Sequence, residues 1–481
     1  MLARYQRDRL QLEEVHRFPN RAISFNGHLR WDVVALLDEV RTGLRKCAQQ
    51  ARIRSVGVDT WGVDYALLGP GDALLDMPVA YRDNRTIGCM EQVLARIPRQ
   101  QIYAETGIQF LPFNTIFQLF AGAKENPELL RAAECFLMMP DLFAFLLTGE
   151  KTGERTNAST TQLLSLATGN WSSKLLQELN LPSEIMPPLV GAGTVLGELR
   201  AEVASDIGGC ASFIATATHD TASAVAGIPA DESDAWAFIS CGTWSLIGRE
   251  LAAPITTAAA LAENFTNEAG VAGTIRFLKN IQGMWMLQEC QREWAGRGRN
   301  FSNAELVRLA SQARSFAMVI DPDDETFLSP ASMLDAIKQF CRRTRQTMVD
   351  TPGAIARAIL ESLALKHRRA LRVLETLTGG PVRVLHMVGG GTRNRLLCQW
   401  TADATNKQVL AGPAEATAIG NAAVQGIALG WFVDLQAARE SIAKSVRMVS
   451  YKPRAQQDWA DAEERFEEIV QRAARKHAAQ A

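Results

Sequence analysis

The chain has 481 residues, of which 47% are hydrophobic and 21% are charged, and its formal net charge is -1. This length and composition predict a globular protein of two domains, and the absence of a basic surplus argues against nucleic acid as a partner. The sequence has no run of about 18 apolar residues and no cleavable leader, so we expect a cytoplasmic protein without a membrane span.

The eight cysteines are scattered along the sequence, and none forms a C-x-x-C pair. Zinc sites need Cys or His ligands at close spacing, which this chain lacks. We therefore expect reduced thiols with a structural role and no metal site built from protein ligands alone.

Residues 53–68, IRSVGVDTWGVDYALL, predict a strand, a loop and a second strand, because apolar and β-branched residues flank the polar DTWG. Aromatic, carboxylate and guanidinium groups together suit a polyhydroxylated ligand. For this loop alone, or for the later AYRDNR alone, the alternative is a buried Trp in a hairpin with surface ion pairs. The polar set in this loop and in the later AYRDNR consists of Asp59, Trp61, Asp64, Arg82, Asp83 and Arg85.

Amphipathic helical runs follow over about 90–150. In MPDLFAFLLTG, Pro140 and Asp141 suit a helix start and Gly149 suits a helix end. This stretch therefore predicts one helix that is well defined at both ends.

The apolar strand ASFIATAT ends at His219 and Asp220, and the small residues of TASAVAGI predict a tightly packed helix behind it. An Asp at the carboxyl end of a strand faces the crevice where open α/β sheets bind ligands. Capping of the helix is the alternative. The neighbours THDT favour the functional interpretation, in which Asp220 accepts the proton of an attacking sugar hydroxyl.

GIPADESDA has the composition of a connection and predicts a domain boundary near residue 230, with domains at 1–229 and 230–481. Beyond it, AWAFISCGTWSLIGREL predicts a strand, a turn and a strand. Gly242, Thr243 and Ser245 in this turn suit contact with phosphate oxygens, and an ordinary hairpin turn is the alternative.

A helix from about 353 to 377 and the strand PVRVLHMV lead to three glycines, Gly389 to Gly391, before a helix from about Asn394. Backbone amides at such a helix start attract anions. The G-x-G-x-x-G and G-x-x-x-x-G-K-[ST] patterns are absent, so a nucleotide would bind by another architecture.

The small residues of EATAIGNAAVQGIALG predict a helix packed very close to a neighbour, and the tail beyond about 455 predicts an amphipathic helix. Strands interleaved with helices indicate an α/β fold.

Nine blocks resemble the FGGY carbohydrate kinases, and specifically the branch that acts on L-rhamnulose. They are GVDTWGVDYALL, VAYRDNRT, GIQFLPFNT, TNASTTQLL, THDTASAV, SCGTWSLIG, LKNIQGMWMLQE, MVGGGTRN and GPAEATAIGN. The resemblance implies two ribonuclease H-like domains, of the type found in actin and hexokinase, with an interdomain cleft. The implied activity is transfer of the γ-phosphoryl group of ATP to the 1-hydroxyl of L-rhamnulose, with Mg²⁺.

The resemblance also implies roles for single residues. Asp220 would be the catalytic base, and the first domain would bind mainly sugar and the second mainly nucleotide. The implied sugar contacts are Gly62, His219, Thr221 and Asn280, and the implied nucleotide contacts are Thr243, Gln288 and Gly390. Asn280 and Gln288 rest on the resemblance alone.

Kinases of this family begin with a strand and a D-x-G-x-x-S-x-R-like phosphate turn, whereas this sequence opens with MLARYQRDRL. We therefore expect the first strand and phosphate turn of the first domain to be missing. The first hypothesis is a kinase whose start codon is misplaced. The alternatives are a sugar-binding relative with impaired catalysis and a kinase for another ketose, such as L-fuculose or L-xylulose. A cytoskeletal or chaperone-like ATPase of the same superfold is the weakest, because the matching blocks are those of sugar kinases.

Overall fold

The computed structural model describes residues 1–6, 8–231, 234–454 and 457–478. Two predicted segments lie partly outside the described residues. These are the connection at 227–235, which includes residues 232–233, and the C-terminal helix, which includes residues 456 and 479–481.

Strands and helices are interleaved along the chain. The strands are β1 (Leu2–Gln6), β2 (Arg9–Glu13), β3 (Ile23–Phe25), β4 (His28–Arg30), β5 (Ser55–Val56), β6 (Tyr65–Leu68), β7 (Cys135–Met138), β8 (Gly153–Glu154), β9 (Leu189–Val190), β10 (Thr194–Glu198), β11 (Ser212–Ala215), β12 (Trp236–Cys241), β13 (Trp244–Leu251), β14 (Thr266–Ala269), β15 (Ile275–Gln282), β16 (Val384–Val388), β17 (Gln408–Ala411) and β18 (Val449–Tyr451).

The α-helices vary from a single turn to more than seven turns. They are α1 (Val33–Ala48), α2 (Cys89–Leu94), α3 (Arg99–Thr106), α4 (Thr115–Glu125), α5 (Pro127–Arg131), α6 (Met139–Thr148), α7 (Arg155–Ala158), α8 (Ser173–Glu178), α9 (Ala201–Asp206), α10 (Asp220–Ala226), α11 (Ala258–Ala262), α12 (Trp285–Gly296), α13 (Asn303–Gln312), α14 (Met333–Arg343), α15 (Pro352–Thr378), α16 (Arg395–Thr405), α17 (Ala416–Ala428), α18 (Leu435–Ser445) and α19 (Gln457–Ala478).

Each of the two compact units is built from three chain segments. The first unit contains Met1–Asp231, Glu250–Phe277 and Ala416–Ser445, and the second contains Glu232–Arg249, Leu278–Glu415 and Val446–Ala481. The division predicted from sequence has one boundary, near residue 230, whereas in the structure the chain passes from one unit to the other at further points. The segment 416–445 belongs to the first unit because its helix α17 packs on α10, a pairing that helical periodicity alone does not reveal.

In the first unit, β5 pairs in parallel with β11, and β11 pairs antiparallel with β10. Val56 and Phe213 lie directly opposite each other and are buried among the apolar side chains of the first unit. The segments that follow β5 and β11 stay paired beyond the strands. The amide of Thr60 donates to the carbonyl of Thr218 at 2.9 Å, and the amide of Asp220 donates to the carbonyl of Thr60 at 2.8 Å. This pairing carries the residues after β11 to the start of α10.

β1 and β2 form a separate antiparallel hairpin in the first unit. The hairpin is attached to α18, because the amide of Leu10 donates to the hydroxyl of Ser445 at 2.7 Å. A cavity of about 520 Å³ is lined by β1, by residues 53–59 and by residues of α17. β1 and β5 therefore border the same cavity and belong to different sheets.

In the second unit the strands lie in the order β15-β13-β12-β16-β17-β18. β12 forms an antiparallel hairpin with β13 and pairs in parallel with β16, which in turn pairs in parallel with β17. The long helix α15 agrees with the predicted 353–377. It begins after Thr351, whose side chain accepts from the amide of Ala354, and it ends at Gly379 in the left-handed region.

The predicted helix start and end in MPDLFAFLLTG are confirmed, because α6 ends at Gly149 with a φ of 96°. Within the described ranges, no helix is both long enough and apolar enough to cross a membrane. All eight cysteines are free thiols, and all but Cys210 are buried.

Candidate active site

Asp220 is the first residue of α10 and its side chain is 47% exposed. The N-cap position belongs to His219, and no side chain caps this helix end, so Asp220 does not serve as the cap. Among the described residues, its side-chain contacts fall on Oδ1, which lies 3.1 Å from Thr221 Oγ1 and 3.5 Å from His219 Nε2. Oδ2 is therefore the oxygen that can accept a proton from a ligand.

Helix α10 is fixed by very close packing on α17. A Cβ atom at Gly420 would overlap the backbone carbonyl of Ser223, and one at Gly227 would overlap that of Ala416. The close packing predicted for both helices is therefore confirmed. It holds Asp220 through main-chain contact, which leaves little freedom for the helix to shift.

Asp59 lies on the segment that pairs with the residues before Asp220. Its Oδ2 accepts a hydrogen bond of 2.6 Å from Asn421 Nδ2, and Gln425 donates to Asn421 Oδ1 at 2.7 Å, which fixes the orientation of that amide. Burial raises the pKa of Asp59 to about 6, and the nearby charge of Asp220 adds to the effect. The structure thus places two carboxylates at one edge of the first unit.

Glu154 is a buried carboxylate that organises the same strand end, and the sequence did not single it out. Its side chain accepts from the amide of Thr218 at 3.0 Å, from the Thr218 hydroxyl at 2.9 Å and from the Thr156 hydroxyl. Burial raises the pKa of Glu154, and these donors lower it in part. A dense run of hydroxyl residues at 156–161 is the only sequence signal that points to this network.

His219 and Thr221, both predicted sugar contacts, flank Asp220 and are buried. The Thr221 hydroxyl donates to Asp220 itself. The His219 ring has Nε2 toward Asp220, while its Nδ1 lies 3.1 Å from Arg276 Nη2 and 3.3 Å from Glu268 Oε2. The structure therefore brings three of the predicted residues together and adds a buried ion pair behind them.

Asp64 is completely buried and accepts hydrogen bonds from three elements. Its Oδ2 accepts from Trp31 Nε1 at 2.7 Å and from Trp61 Nε1 at 2.8 Å, and its Oδ1 accepts from Gln118 Nε2 at 3.1 Å. Burial raises its pKa to about 6, against the effect of these donors. Asp64 therefore fixes the two indoles, whose ring centres are 4.3 Å apart, and is not a surface ion-pair partner.

Gly62 lies against Thr160, and a Cβ atom there would be 2.8 Å from Thr160 Oγ1. The same hydroxyl accepts from the amide of Val63 at 3.1 Å and donates to the carbonyl of Asn157 at 2.8 Å. A side chain at position 62 would displace the hydrogen-bonded hydroxyl of Thr160. This explains the glycine at this predicted sugar contact.

The segment AYRDNR mainly supports neighbouring residues through the side chains of Arg82, Asp83 and Arg85. Asp83 accepts from the amide of Leu29 at 2.8 Å and contacts His28 Nδ1 at 3.0 Å. Arg85 donates to Gln118 Oε1 at 2.7 Å, so it supports the side chain that holds Asp64. Arg82 lies over the ring of Tyr81.

The three predicted nucleotide contacts lie in the second unit, on elements that adjoin the β12–β13 turn. Thr243 is exposed in the β12–β13 turn, and its carbonyl accepts from the amide of Trp285 at 3.2 Å, at the start of the helix that carries Gln288. A Cβ atom at Gly389 would lie 2.8 Å from the carbonyl oxygen of Cys241, so the glycine triplet packs on the strand end before Thr243. The turn joins the two strands of a hairpin, as the alternative interpretation expected, and its contact with phosphate stays a prediction. Asn280, a predicted sugar contact, lies half-buried on β15 in the second unit.

Residues 11–227 match the N-terminal domain of the FGGY family of carbohydrate kinases, and residues 237–429 match its C-terminal domain. A rhamnulokinase of Bacteroides thetaiotaomicron is 43% identical over 463 residues, which cover 96% of this chain and 94% of that protein. A rhamnulokinase of Enterococcus faecalis is 45% identical over 441 residues, which cover 91% of this chain and 88% of that protein.

Solved structures show the same fold. The ligand-bound xylulose kinase of Lactobacillus acidophilus has a TM-score of 0.76 at 18% identity and covers 96% of this chain and 92% of its own. Plasmodium falciparum glycerol kinase with ADP has a TM-score of 0.74 at 15% identity and covers 95% and 92%. The predicted fold class, two α/β domains of the ribonuclease H-like, actin and hexokinase type, is confirmed.

Proposed function

Because the chain belongs to the FGGY family of carbohydrate kinases, we propose that it transfers the γ-phosphoryl group of ATP to the 1-hydroxyl of L-rhamnulose. The product would be L-rhamnulose 1-phosphate, formed during the breakdown of L-rhamnose. Support for this substrate comes from rhamnulokinases that are 43% and 45% identical over nearly the whole chain. The structural observation that carries the proposal is the exposed side chain of Asp220 at a strand-to-helix junction held by main-chain packing.

In the proposed reaction, the sugar 1-hydroxyl oxygen bonds to the γ-phosphorus while the bond to the β,γ-bridging oxygen breaks, and ADP leaves. Asp220 Oδ2 accepts the hydroxyl proton. Such a transfer depends mainly on positioning and on stabilisation of charge, so the packing of α10 on α17 contributes by fixing the base.

The residues with implied contacts divide into two groups. Gly62, His219, Thr221 and Asn280 would contact the sugar. Thr243, Gln288 and Gly390 would contact ATP, since their cluster offers a hydroxyl, an amide and an open backbone to phosphate oxygens.

Mg²⁺, when bound with ATP, neutralises phosphate charge. Among the described residues, no three His, Cys, Asp or Glu side chains lie close enough to hold a metal ion alone. Mg²⁺ at phosphoryl-transfer sites takes one or two carboxylates and completes its shell with phosphate oxygens and water, so this donor set fits. Asp59, whose Oδ2 is held by Asn421, would supply a carboxylate.

A substrate panel tests the proposal. The chain is incubated with ATP, Mg²⁺ and L-rhamnulose, L-fuculose or L-xylulose, ADP release is followed, and the phosphate position is identified by ³¹P–¹H correlation. We expect the highest kcat/KM with L-rhamnulose and phosphate on its C1 oxygen. A higher kcat/KM for another ketose would reassign the substrate, and sugar binding without ADP release would indicate a non-catalytic relative.

A further inference from the structure

Arg276 places a completely buried guanidinium directly behind His219. Its Nη2 donates to His219 Nδ1 at 3.1 Å, and its Nε donates to the carbonyl of Ala269 at 3.0 Å. Glu268, also buried, lies 3.1 Å from the same Nη2. Asp220, His219, Arg276 and Glu268 therefore form a continuous polar chain within the first unit.

Stability alone gives a poor explanation for this pair. Removing a guanidinium and a carboxylate from water costs several kcal/mol for each ion, and well-packed apolar residues often stabilise a fold at least as well. Among the described residues, Nη1 of Arg276 has no hydrogen-bond partner, which adds to the cost. An arrangement that is expensive in this way indicates a role in orienting a neighbour.

The chemistry of arginine determines which nitrogen of His219 carries the proton. A guanidinium has donors and no acceptor, so the nitrogen that faces it must accept. An Nδ1 that accepts from Arg276 leaves the proton of the neutral ring on Nε2. Nε2 is the nitrogen that lies 3.5 Å from Asp220 Oδ1.

We propose that Arg276 is a positioning residue, which fixes His219 with Nε2 protonated and so directs an N–H toward Oδ1 of Asp220. This N–H, with the Thr221 hydroxyl, engages Oδ1 and leaves Oδ2 for the substrate hydroxyl. The catalytic consequence rests on the proposed function, whereas the position of the proton does not.

Glu268 would favour the other neutral form of His219, in which the proton lies on Nδ1. Its Oε2 lies 3.3 Å from His219 Nδ1, close enough to accept a proton from that nitrogen once Arg276 no longer occupies it. The ring would then present an unprotonated Nε2 to a carboxylate, and two acceptors would face each other. Asp220 would then keep only the Thr221 hydroxyl of the two groups that engage its Oδ1.

The direct test is the protonation state of the His219 ring nitrogens. We would label histidine with ¹⁵N in the full chain, record two-bond ¹H–¹⁵N correlations, and assign His219 from the signals lost in His219→Gln. In the wild type we expect protonated Nε2 and unprotonated Nδ1, and in Arg276→Met we expect the reverse. A proton on Nδ1 in the wild type, or an unchanged pattern in Arg276→Met, would overturn the proposal.

Arg30→Met is the matched control. Arg30 is also a buried arginine of the first unit, but its guanidinium pairs with Asp76 at 2.7 Å and donates to the carbonyl of Met77. We expect its loss to leave the His219 signals unchanged. If Arg276→Met does not fold, Arg276→Lys keeps a charged donor and should retain the wild-type pattern, and a proton on Nδ1 in that variant would count against the proposal.

Kinetics link the proton to the reaction. Arg276→Met should lower kcat on the order of tenfold to a hundredfold, the range for groups that orient a functional residue from behind, and leave the KM for ATP unchanged. Lower kcat with an unchanged His219 pattern would mean a purely structural role for Arg276. An inactive wild type with the expected nitrogen signals would contradict the proposed function and leave the assignment of the proton intact.

Discussion

Asp64 shows how a single buried carboxylate can define a loop. Two indole N–H groups, one amide side chain and the amide of Tyr81 all donate to it. The carboxylate offers only acceptors, which matches a set of neighbours that offers only donors. Replacement of one oxygen by an amide nitrogen would place a donor against a donor.

Asp64→Asn is therefore expected to lower the free energy of unfolding by about 1–3 kcal/mol, the cost of leaving buried polar groups unsatisfied. Urea denaturation followed by tryptophan fluorescence measures this change. Asp72→Asn is the control, because that carboxylate is 47% exposed and pairs with the exposed Lys151, and we expect a change below about 0.5 kcal/mol. Equal effects of the two substitutions would contradict the role given to Asp64.

His367 is a fully buried histidine next to the proposed nucleotide cluster. Its Nε2 lies 2.7 Å from the hydroxyl of Ser245, and its Nδ1 lies 3.2 Å from that of Thr401. Burial lowers the pKa of His367 from 6.5 to about 4. The unfolded chain therefore takes up a proton between these pH values that the folded chain does not.

The sign of this difference means that stability is fully present above pH 6.5 and is lost as the pH falls toward 4. His367 should contribute on the order of 1 kcal/mol of this loss for each pH unit. Urea titrations between pH 7.5 and 5 should show a shallower pH dependence for His367→Gln than for the wild type. His16→Gln is the control, at a half-buried histidine. A pH dependence of stability in His367→Gln equal to that of the wild type would contradict the role of His367, as would an equally shallow pH dependence in His16→Gln.

The sequence located Asp220 because an Asp at a strand-to-helix junction between polar neighbours is a local pattern. It could not locate Glu154 or Arg276, because each acts through contacts with residues far away in the chain. Their burial is a property of the assembled unit. Trp61 and Asp64 were singled out, and Trp61 is one donor to Asp64. The other donors to Asp64 lie elsewhere in the chain and were not predicted.

At the scale of elements, the packing of α10 on α17 links the proposed base to the rest of the first unit. Helix α17 contacts α10 through backbone at Gly420 and holds Asp59 through Asn421, one residue later. A displacement of α17 would thus move both carboxylates of the candidate site.

Gly420→Ala tests this link. The added Cβ overlaps a backbone carbonyl, which cannot move away by changing a rotamer, so we expect a destabilisation of about 1–3 kcal/mol and a lower kcat. Gly296→Ala, at the end of α12, is the control, because a Cβ there meets nothing within 4 Å and an alanine favours the helix. Thermal unfolding and kcat together measure the effect, and wild-type values for Gly420→Ala would refute the link.

Sequence patterns found many elements and few of their partners. The small residues of α17 correctly predicted close packing, since only small side chains permit it, but they did not indicate that α10 was the partner. β7, which pairs with β6, was not predicted because its four apolar residues lie between helical runs. A short buried strand and a piece of buried helix have the same composition.

At the scale of the whole molecule, the sequence predicted two α/β domains and placed the turn at 241–245 and the glycine triplet in the second. The segments 250–277 and 416–445 nevertheless pack in the first unit. These exchanges could not be predicted, because helical and strand periodicity reports which face of an element is buried and not which unit buries it. Arg276 lies in one of the exchanged segments.

In the proposed reaction, Asp220 accepts the proton of the sugar hydroxyl during phosphoryl transfer. This role is tested most directly by comparing the wild type and Asp220→Asn in ATP-dependent phosphorylation of L-rhamnulose, with sugar binding measured by calorimetry on the same samples. We expect turnover by the wild type, a loss of about 10²- to 10⁴-fold in kcat for Asp220→Asn, and similar sugar affinity for both proteins. Near-normal turnover by Asp220→Asn would contradict the account.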